Sequence, residues 1–235
     1  MRWLSTVIVL CFVTISQAAL TKTENTQAME WTKLTATGDA SGIQETGSID
    51  VSAAYAATLH IDCCLASATA HEGTEIIVQI ASEAGVDDAW TELTRFVSTA
   101  ATAVKSDVGA DEAIGQTVLS VTNPATGVLD HDGKFIFLYP VDDANLANCE
   151  IAYQIDNSGD AGDTITVLDG ITHALTVDTD VYTVDGTSGS AVNTWAVSIP
   201  MSASQCRVIF NNNYDDDGTA STVIIRVRAT KVTAL

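Results

Sequence analysis

The segment 75–97, EIIVQIASEAGVDDAWTELTRFV, constrains this chain more than any other. Ile76, Val78 and Ile80 fall on one side of an extended chain, with Glu75 and Gln79 on the other. That period of two gathers the apolar residues on one face of a strand and scatters them around a helix. An acidic loop containing Gly85 then leads into Trp90, Leu93 and Phe96, so the segment predicts a β-hairpin. A Trp that opens the return strand is expected to pin the core of a sandwich, because an indole buries more apolar area than other side chains.

The same pattern recurs at both ends of the chain. Strands are predicted at 29–36 around Trp31, at 43–51, at 56–65, from Thr194 through Trp195, Val197 and Ile199, around Cys206, Val208 and Phe210, and at 223–232. In the last of these Val223, Ile225, Val227 and Ala229 are expected to point inward, and Ile224, Arg226, Arg228 and Thr230 outward. After Val97 the pattern dissolves into Ser, Thr, Ala and Gly until about Gly115. Four short β runs follow, at 117–121, 134–139, 150–155 and 164–168, divided by turn residues such as Asn123-Pro124, Asp132-Gly133 and Asp169-Gly170. No segment carries a helical period of normal length, and no repeat recurs at a fixed spacing.

The expectation is an all-β protein. A β-sandwich or jelly-roll-like body of roughly eight strands is assigned to 19–103 and 191–235, with a small β-barrel or β-sandwich module inserted at 104–190. Residues 21–27 are polar and read either as loose or as an arm that pairs with a neighbouring molecule. At 235 residues, 46% hydrophobic and with three prolines, the chain is long and apolar enough to bury a core without covalent staples.

Ten Lys and Arg against thirty Asp and Glu give a formal net charge of -20. Such a surface repels phosphate backbones and anionic lipid, which argues against a nucleic-acid partner and against a membrane partner for the mature form. The acidity serves solubility or, on the sharper reading, cation binding. Residues 1–18 have the form of a secretory signal peptide: Arg2, an apolar run from Trp3 to Ile15 and a small-residue cleavage site, Ser16-Gln17-Ala18. That run is too short for a membrane span, so the mature chain is expected outside the cell, secreted or at the cell surface.

Past the leader, Cys63, Cys64, Cys149 and Cys206 could form two disulfides in three possible connectivities. Their places in alternating strands equally suit buried thiols acting as small hydrophobes. Adjacent Cys63 and Cys64 point to opposite faces of a strand and make a poor metal pair.

Candidate chemistry is sparse. Asn213, Asp215 and Asp217 alternate before Gly218 as at the start of a calcium loop, yet position twelve would be Ile224 in place of a bidentate Glu. An acidic hairpin turn is the simpler reading, and calcium is the one cofactor the sequence suggests. Asp156, Asp160 and Asp163 offer a less specific version of the same idea. His131 between Asp130 and Asp132 reads as a solvated loop, and His60 with Asp62 as a pair on an outer strand face. Neither a nucleophile elbow nor a phosphate-cradling glycine loop nor zinc-ligand spacing occurs, so no enzyme is expected. Arg207, Arg226, Arg228 and Lys231 hold four of the ten basic residues. If the last two strands pair, Arg207 shares an outer face with Arg226 and Arg228. That face either neutralises nearby acids or docks onto an acidic face of an identical neighbour.

The hairpin, together with TVLSVTNPATGVLDHDGKFIFL at 117–138, ITVLDGITHAL at 165–175 and the ending RVIFNNNYDDDGTASTVIIRVRATKV at 207–232, resembles β-rich structural proteins of phage or prophage type known from environmental sequences. The resemblance implies a virion or virion-like surface component with no catalytic residues to carry over. The signal peptide departs from it, since phage proteins assembled in the cytoplasm need none, and points to a secreted relative that forms a filament, tube or coat. The resulting expectation is a non-enzymatic, self-assembling subunit whose partners are copies of itself. The alternative is a secreted carbohydrate-binding module, calcium-assisted, which predicts exposed aromatics on a concave face.

Overall fold

The computed structural model describes residues 20–34, 43–65, 74–85, 89–98, 103–122, 133–140, 143–156, 164–184, 191–212 and 223–234. Among them the strands are β1 (Leu20–Leu34), β2 (Ile43–Glu45), β3 (Ile49–Asp50), β4 (Ala54–Leu65), β5 (Glu75–Ala81), β6 (Trp90–Val97), β7 (Ala103–Val108), β8 (Val118–Thr122), β9 (Lys134–Tyr139), β10 (Glu150–Asp156), β11 (Thr164–Val167), β12 (Asp180–Val184), β13 (Val192–Ile199), β14 (Gln205–Asn211) and β15 (Val223–Ala234). No α-helix occurs among the described residues; one 3-10 turn, Asp143–Asn148, precedes β10. The protein is all-β, and every strand pairing is antiparallel.

Two open sheets form a sandwich. One runs β1-β15-β4-β13, the other β2-β14-β5-β6 with β3 also on β14. Their inner faces share a core to which β4 gives Leu59, Ile61 and Cys63, β15 gives Ile225 and Val227, β5 gives Ile76 and Val78, and β14 gives Val208 and Phe210. Period-two alternation puts these residues on one side of each strand, and burying the larger aliphatics among them contributes roughly 1.5–3 kcal/mol apiece. The β5–β6 hairpin forms with a bulge between Val78 and Gln79. Its Trp90 does not pin the core as predicted. The indole is half-buried and lies 4.3 Å from the Arg207 guanidinium, because pairing with Ala81 at the strand end leaves it at the rim. Phe96 does pack inward, stacked on Trp195 with ring centroids 5.3 Å apart.

The segment between β6 and β13 closes a six-stranded barrel in the order β10-β11-β8-β7-β12-β9. Its interior is a separate cluster that includes Leu119, Val121, Ile136, Leu138, Ile165, Val167 and Val181. Two of its staves, β7 and β12, go unread in the sequence. Inward positions of β7 include the polar Ser106, whose hydroxyl donates to the Thr122 carbonyl, so its alternation is invisible. In β12 the outward-facing Asp180 and Tyr182 are themselves buried. The predicted turn at Asp169-Gly170 has a steric cause: a Cβ on Gly170 would lie 2.5 Å from the Gly115 carbonyl oxygen.

The barrel sits on the outer face of the β1-β15-β4-β13 sheet. Phe137, Tyr139 and Tyr182 from outward positions of β9 and β12, with Cys149, join the sandwich core cluster rather than the barrel's own. Trp31 of β1 is the contact between the layers, its ring 5.5 Å from that of Phe137 and 4.1 Å from the Arg226 guanidinium. This docking explains why Cys64 and Ile224, both on outward positions, are fully buried. The middle sheet is therefore covered on both sides at this end.

The N-terminal segment corrects a second expectation. Residues 21–27 are neither loose nor donated to another molecule; they extend β1, which pairs with β15 from Leu20 opposite Ala234 to Leu34 opposite Val223. The twelve-residue β15 offers an edge long enough to take the whole arm, with register shifts between Thr23 and Thr26 and between Gln27 and Met29.

A candidate binding groove between sheet and barrel

Where the docked barrel stops short of the sheet's far end, a groove of about 530 Å³ remains. Its floor is the outer face of β4, β13 and β15, with His60, Asp62, Thr194, Arg226 and Arg228, and its wall is Phe135 and Ile151 from the barrel. Register places these together: Asp62 lies opposite both Thr194 and Arg226, and His60 opposite both Ala196 and Arg228. Residues at i and i+2 on three adjacent strands thus make one polar surface.

Asp62 is the hub. Read from sequence as a surface partner of His60, it is in fact buried, with its side chain 4% exposed. Its Oδ2 accepts from Arg226 Nε at 2.8 Å and Nη2 at 2.7 Å, and from Arg228 Nη2 at 3.3 Å. A buried carboxylate needs such partners, since an isolated one would cost several kcal/mol to desolvate. Arg226 is spent on this contact and on Trp31. Arg228 is not: its Nε–H is buried without an acceptor among the described residues, and its one contact to Asp62 is long. His60 Nε2 lies 3.4 Å from Thr230 Oγ1. Two guanidinium groups on one carboxylate leave the groove with a formal surplus of one positive charge inside a chain of -20.

The four cations singled out in the sequence do not form one face. β14 and β15 lie in different sheets and do not pair, so Arg207 is separated from Arg226 and Arg228. Arg207 donates to Gln79 Oε1 at 2.8 Å and Glu45 Oε2 at 3.2 Å on the outside of the second sheet. Lys231 pairs in register with Ala57 and donates to the Asp50 carbonyl at 2.6 Å. What sequence reading misses is that β4, not β14, is the neighbour of β15.

The cysteines are free and buried. Burial pushes the Cys63 and Cys149 thiols up to about 12 and Cys206 to about 11, and holds Cys64 well above its ordinary value. Of the two readings open in the sequence, these thiols act as small hydrophobes. The candidate calcium ligands Asn213, Asp215 and Asp217 lie outside the described residues, as do residues 1–18, His131 and the 157–163 loop. Among the described residues no cluster of three His, Cys, Asp or Glu is placed to hold a metal. Tryptophan supplies little of the exposed aromatic platform expected of a glycan binder: Trp31 is 6% exposed, and Trp195, although it lines the groove, is partly buried and stacked on Phe96. Among the described residues Tyr55 and Phe135 are exposed aromatics, at 51% and 47%, and of the two Phe135 lines the groove.

A second polar cluster lies on the barrel. Lys105 Nζ contacts Asp180 Oδ1 at 2.7 Å and Asp107 Oδ1 at 3.2 Å, and Tyr182 donates to Asp180 Oδ2 at 2.8 Å. Burial raises the Asp180 carboxyl above the usual range, with Lys105 and Tyr182 pulling it back, and burial likewise raises the Tyr182 phenol. Every member is engaged with another, so the cluster reads as structural.

Comparison with protein-family models, with curated proteins and with solved structures gives no match, so the functional argument rests on this chain's own geometry.

Proposed function

We propose that this chain is a non-enzymatic structural subunit that associates with copies of itself on the outside of a cell or of a particle such as a virion, as part of a filament, tube or coat. The observation that carries the reading is the edge strand β13. Among the described strands it pairs only with β4. From Thr194 to Ile199 it has no charged residue and no proline, the devices that guard an exposed edge against strand addition. The other sheet ends in β6 on the same flank, where Phe96 meets Trp195. Strand addition at such an edge gains main-chain hydrogen bonds with register set by alternate side chains. The barrel, being closed, contributes no edge, and the signal-like residues 1–18 favour assembly outside the cell.

The test is sedimentation velocity and negative-stain electron microscopy of the chain lacking residues 1–18 across a range of concentrations. Regular filaments, tubes or sheets are expected, and Ser198→Lys, which charges the β13 edge at an exposed position, should abolish them without lowering the thermal midpoint. Wild-type chains that stay monomeric at every concentration would overturn the reading.

A further inference from the structure

We propose that the groove between the sheet and the barrel is a binding site for an anionic sugar unit, a saccharide ring bearing a carboxylate or a sulfate. The groove borders β13 through Thr194, but the groups that define it, Arg228 and Phe135, lie on β15 and β9, away from the strand edge. Three features carry it. The Arg228 side chain is about a third exposed and holds Asp62 through a single long contact of 3.3 Å, so the accessible end of its guanidinium is open to a ligand oxyanion. The groove's surplus positive charge selects an anion over a neutral ligand, and a planar guanidinium fork suits the paired oxygens of a carboxylate or sulfate. Phe135, nearly half exposed on the wall, supplies an apolar surface for a sugar ring, while Thr194 and His60 offer hydroxyl partners.

The volume lies in the range of small-ligand sites. The chain's overall negative charge does not defeat the proposal. Remote acids are screened beyond about 8 Å at physiological ionic strength, whereas contact with Arg228 inside a groove is screened far less. An acidic loop of another copy would meet the same guanidinium. It would not use the exposed Phe135 ring beside the polar Thr194 and His60, so the saccharide is the better fit.

The experiment is isothermal titration of the full chain lacking residues 1–18 with four probes: a glucuronate-containing disaccharide, a sulfated disaccharide, neutral cellobiose and sodium acetate. Binding of one or both acidic sugars at least tenfold tighter than cellobiose is expected, and the two arms distinguish carboxylate from sulfate. Arg228→Gln should erase that preference, since Arg226 still holds Asp62; Arg228→Lys, which keeps the charge, should retain part of it. Phe135→Ala should weaken the sugars and leave acetate unchanged. Equal binding of acidic and neutral sugars, heat from none of them, or an unchanged preference in Arg228→Gln would each overturn the proposal. So would an Arg228→Gln chain that binds no sugar but loses self-association, which would assign the groove to the contact between copies. Failure of Ser198→Lys to block assembly bears only on the edge-strand reading.

Discussion

The sandwich and the barrel solve the same problem, satisfying the backbone of an antiparallel sheet, in opposite ways. The barrel closes on itself and leaves no strand unpaired, and it tolerates polar groups at buried positions: the Glu112 carboxylate accepts from the Ser120 amide at 2.6 Å, and Ser106 and Gln154 are buried with it. The sandwich also buries polar groups, with the Thr74 hydroxyl donating to Asn212 Oδ1 at 3.3 Å, but it leaves its sheets open at the ends. Closure makes a unit that needs no neighbour, while openness makes one that can accept another strand. The groove arises where the two meet imperfectly, so each function proposed here falls where the backbone or the packing is left incomplete.

The comparison assumes that the barrel is held to the sandwich by the Trp31–Phe137 contact. Phe137 is fully buried at that junction, and Phe137→Ala is expected to cost about 3–5 kcal/mol. Trp31, Trp90 and Trp195 all lie in sandwich strands and none lies between 103 and 184, so tryptophan fluorescence reports the sandwich and, through Trp31, its junction with the barrel, whereas far-UV circular dichroism reports both parts. Urea transitions followed by the two probes should coincide in the wild type and move together in the variant. Transitions that separate already in the wild type would mean that the two parts fold independently.

A smaller effect distinguishes the barrel's polar cluster by pH. The Asp180 carboxyl is raised in the folded state, chiefly by burial. A raised carboxyl stabilises the fold fully below its unfolded pKa of about 3.9 and loses that contribution as pH rises through the folded value. Wild type should therefore gain stability relative to Asp180→Asn as pH falls from neutral to about 4. Lys105, whose own pKa is raised first by Asp180, stays protonated throughout that window. Urea midpoints of both proteins across the window check this, and a constant difference would show that burial does not perturb the group.

The smallest effect sharpens the junction without changing stability. At pH 8 thiols of pKa about 11 to 12 are ionised roughly one part in a thousand to one in ten thousand, so Cys63, Cys149 and Cys206 of the folded chain should resist a thiol-specific chromogenic reagent. Full reaction is expected only on unfolding. If the barrel lifts away before the sandwich opens, Cys149 and Cys64 should label before Cys206, which lies on β14 in the other sheet.

How much of this was readable in the chain follows from one physical fact: alternation reports that one face of a strand is covered, but not by what. The β5–β6 hairpin and the inward set of β15, Val223, Ile225, Val227 and Ala229, were legible for that reason. Strands β7 and β12 were not, because a buried Ser and an Asp-Tyr pair at a junction break the apolar signal. The outward Cys64 and Ile224 gave no sign of burial, since their cover is a barrel formed by residues at least seventy positions away along the chain from one or the other.

The candidate site was legible only in fragments. His60 and Asp62 were correctly placed on an outer face, and Arg226 and Arg228 on another, but nothing in the sequence says that β15 lies beside β4 rather than β14. Local periodicity determined the all-β class, most strands and the direction of each side chain, because those depend on neighbours two residues apart. Sheet order, the docking of the barrel, the burial of Asp62 and the unspent Arg228 were decided by tertiary structure, because strand pairing depends on which distant surfaces exclude water together.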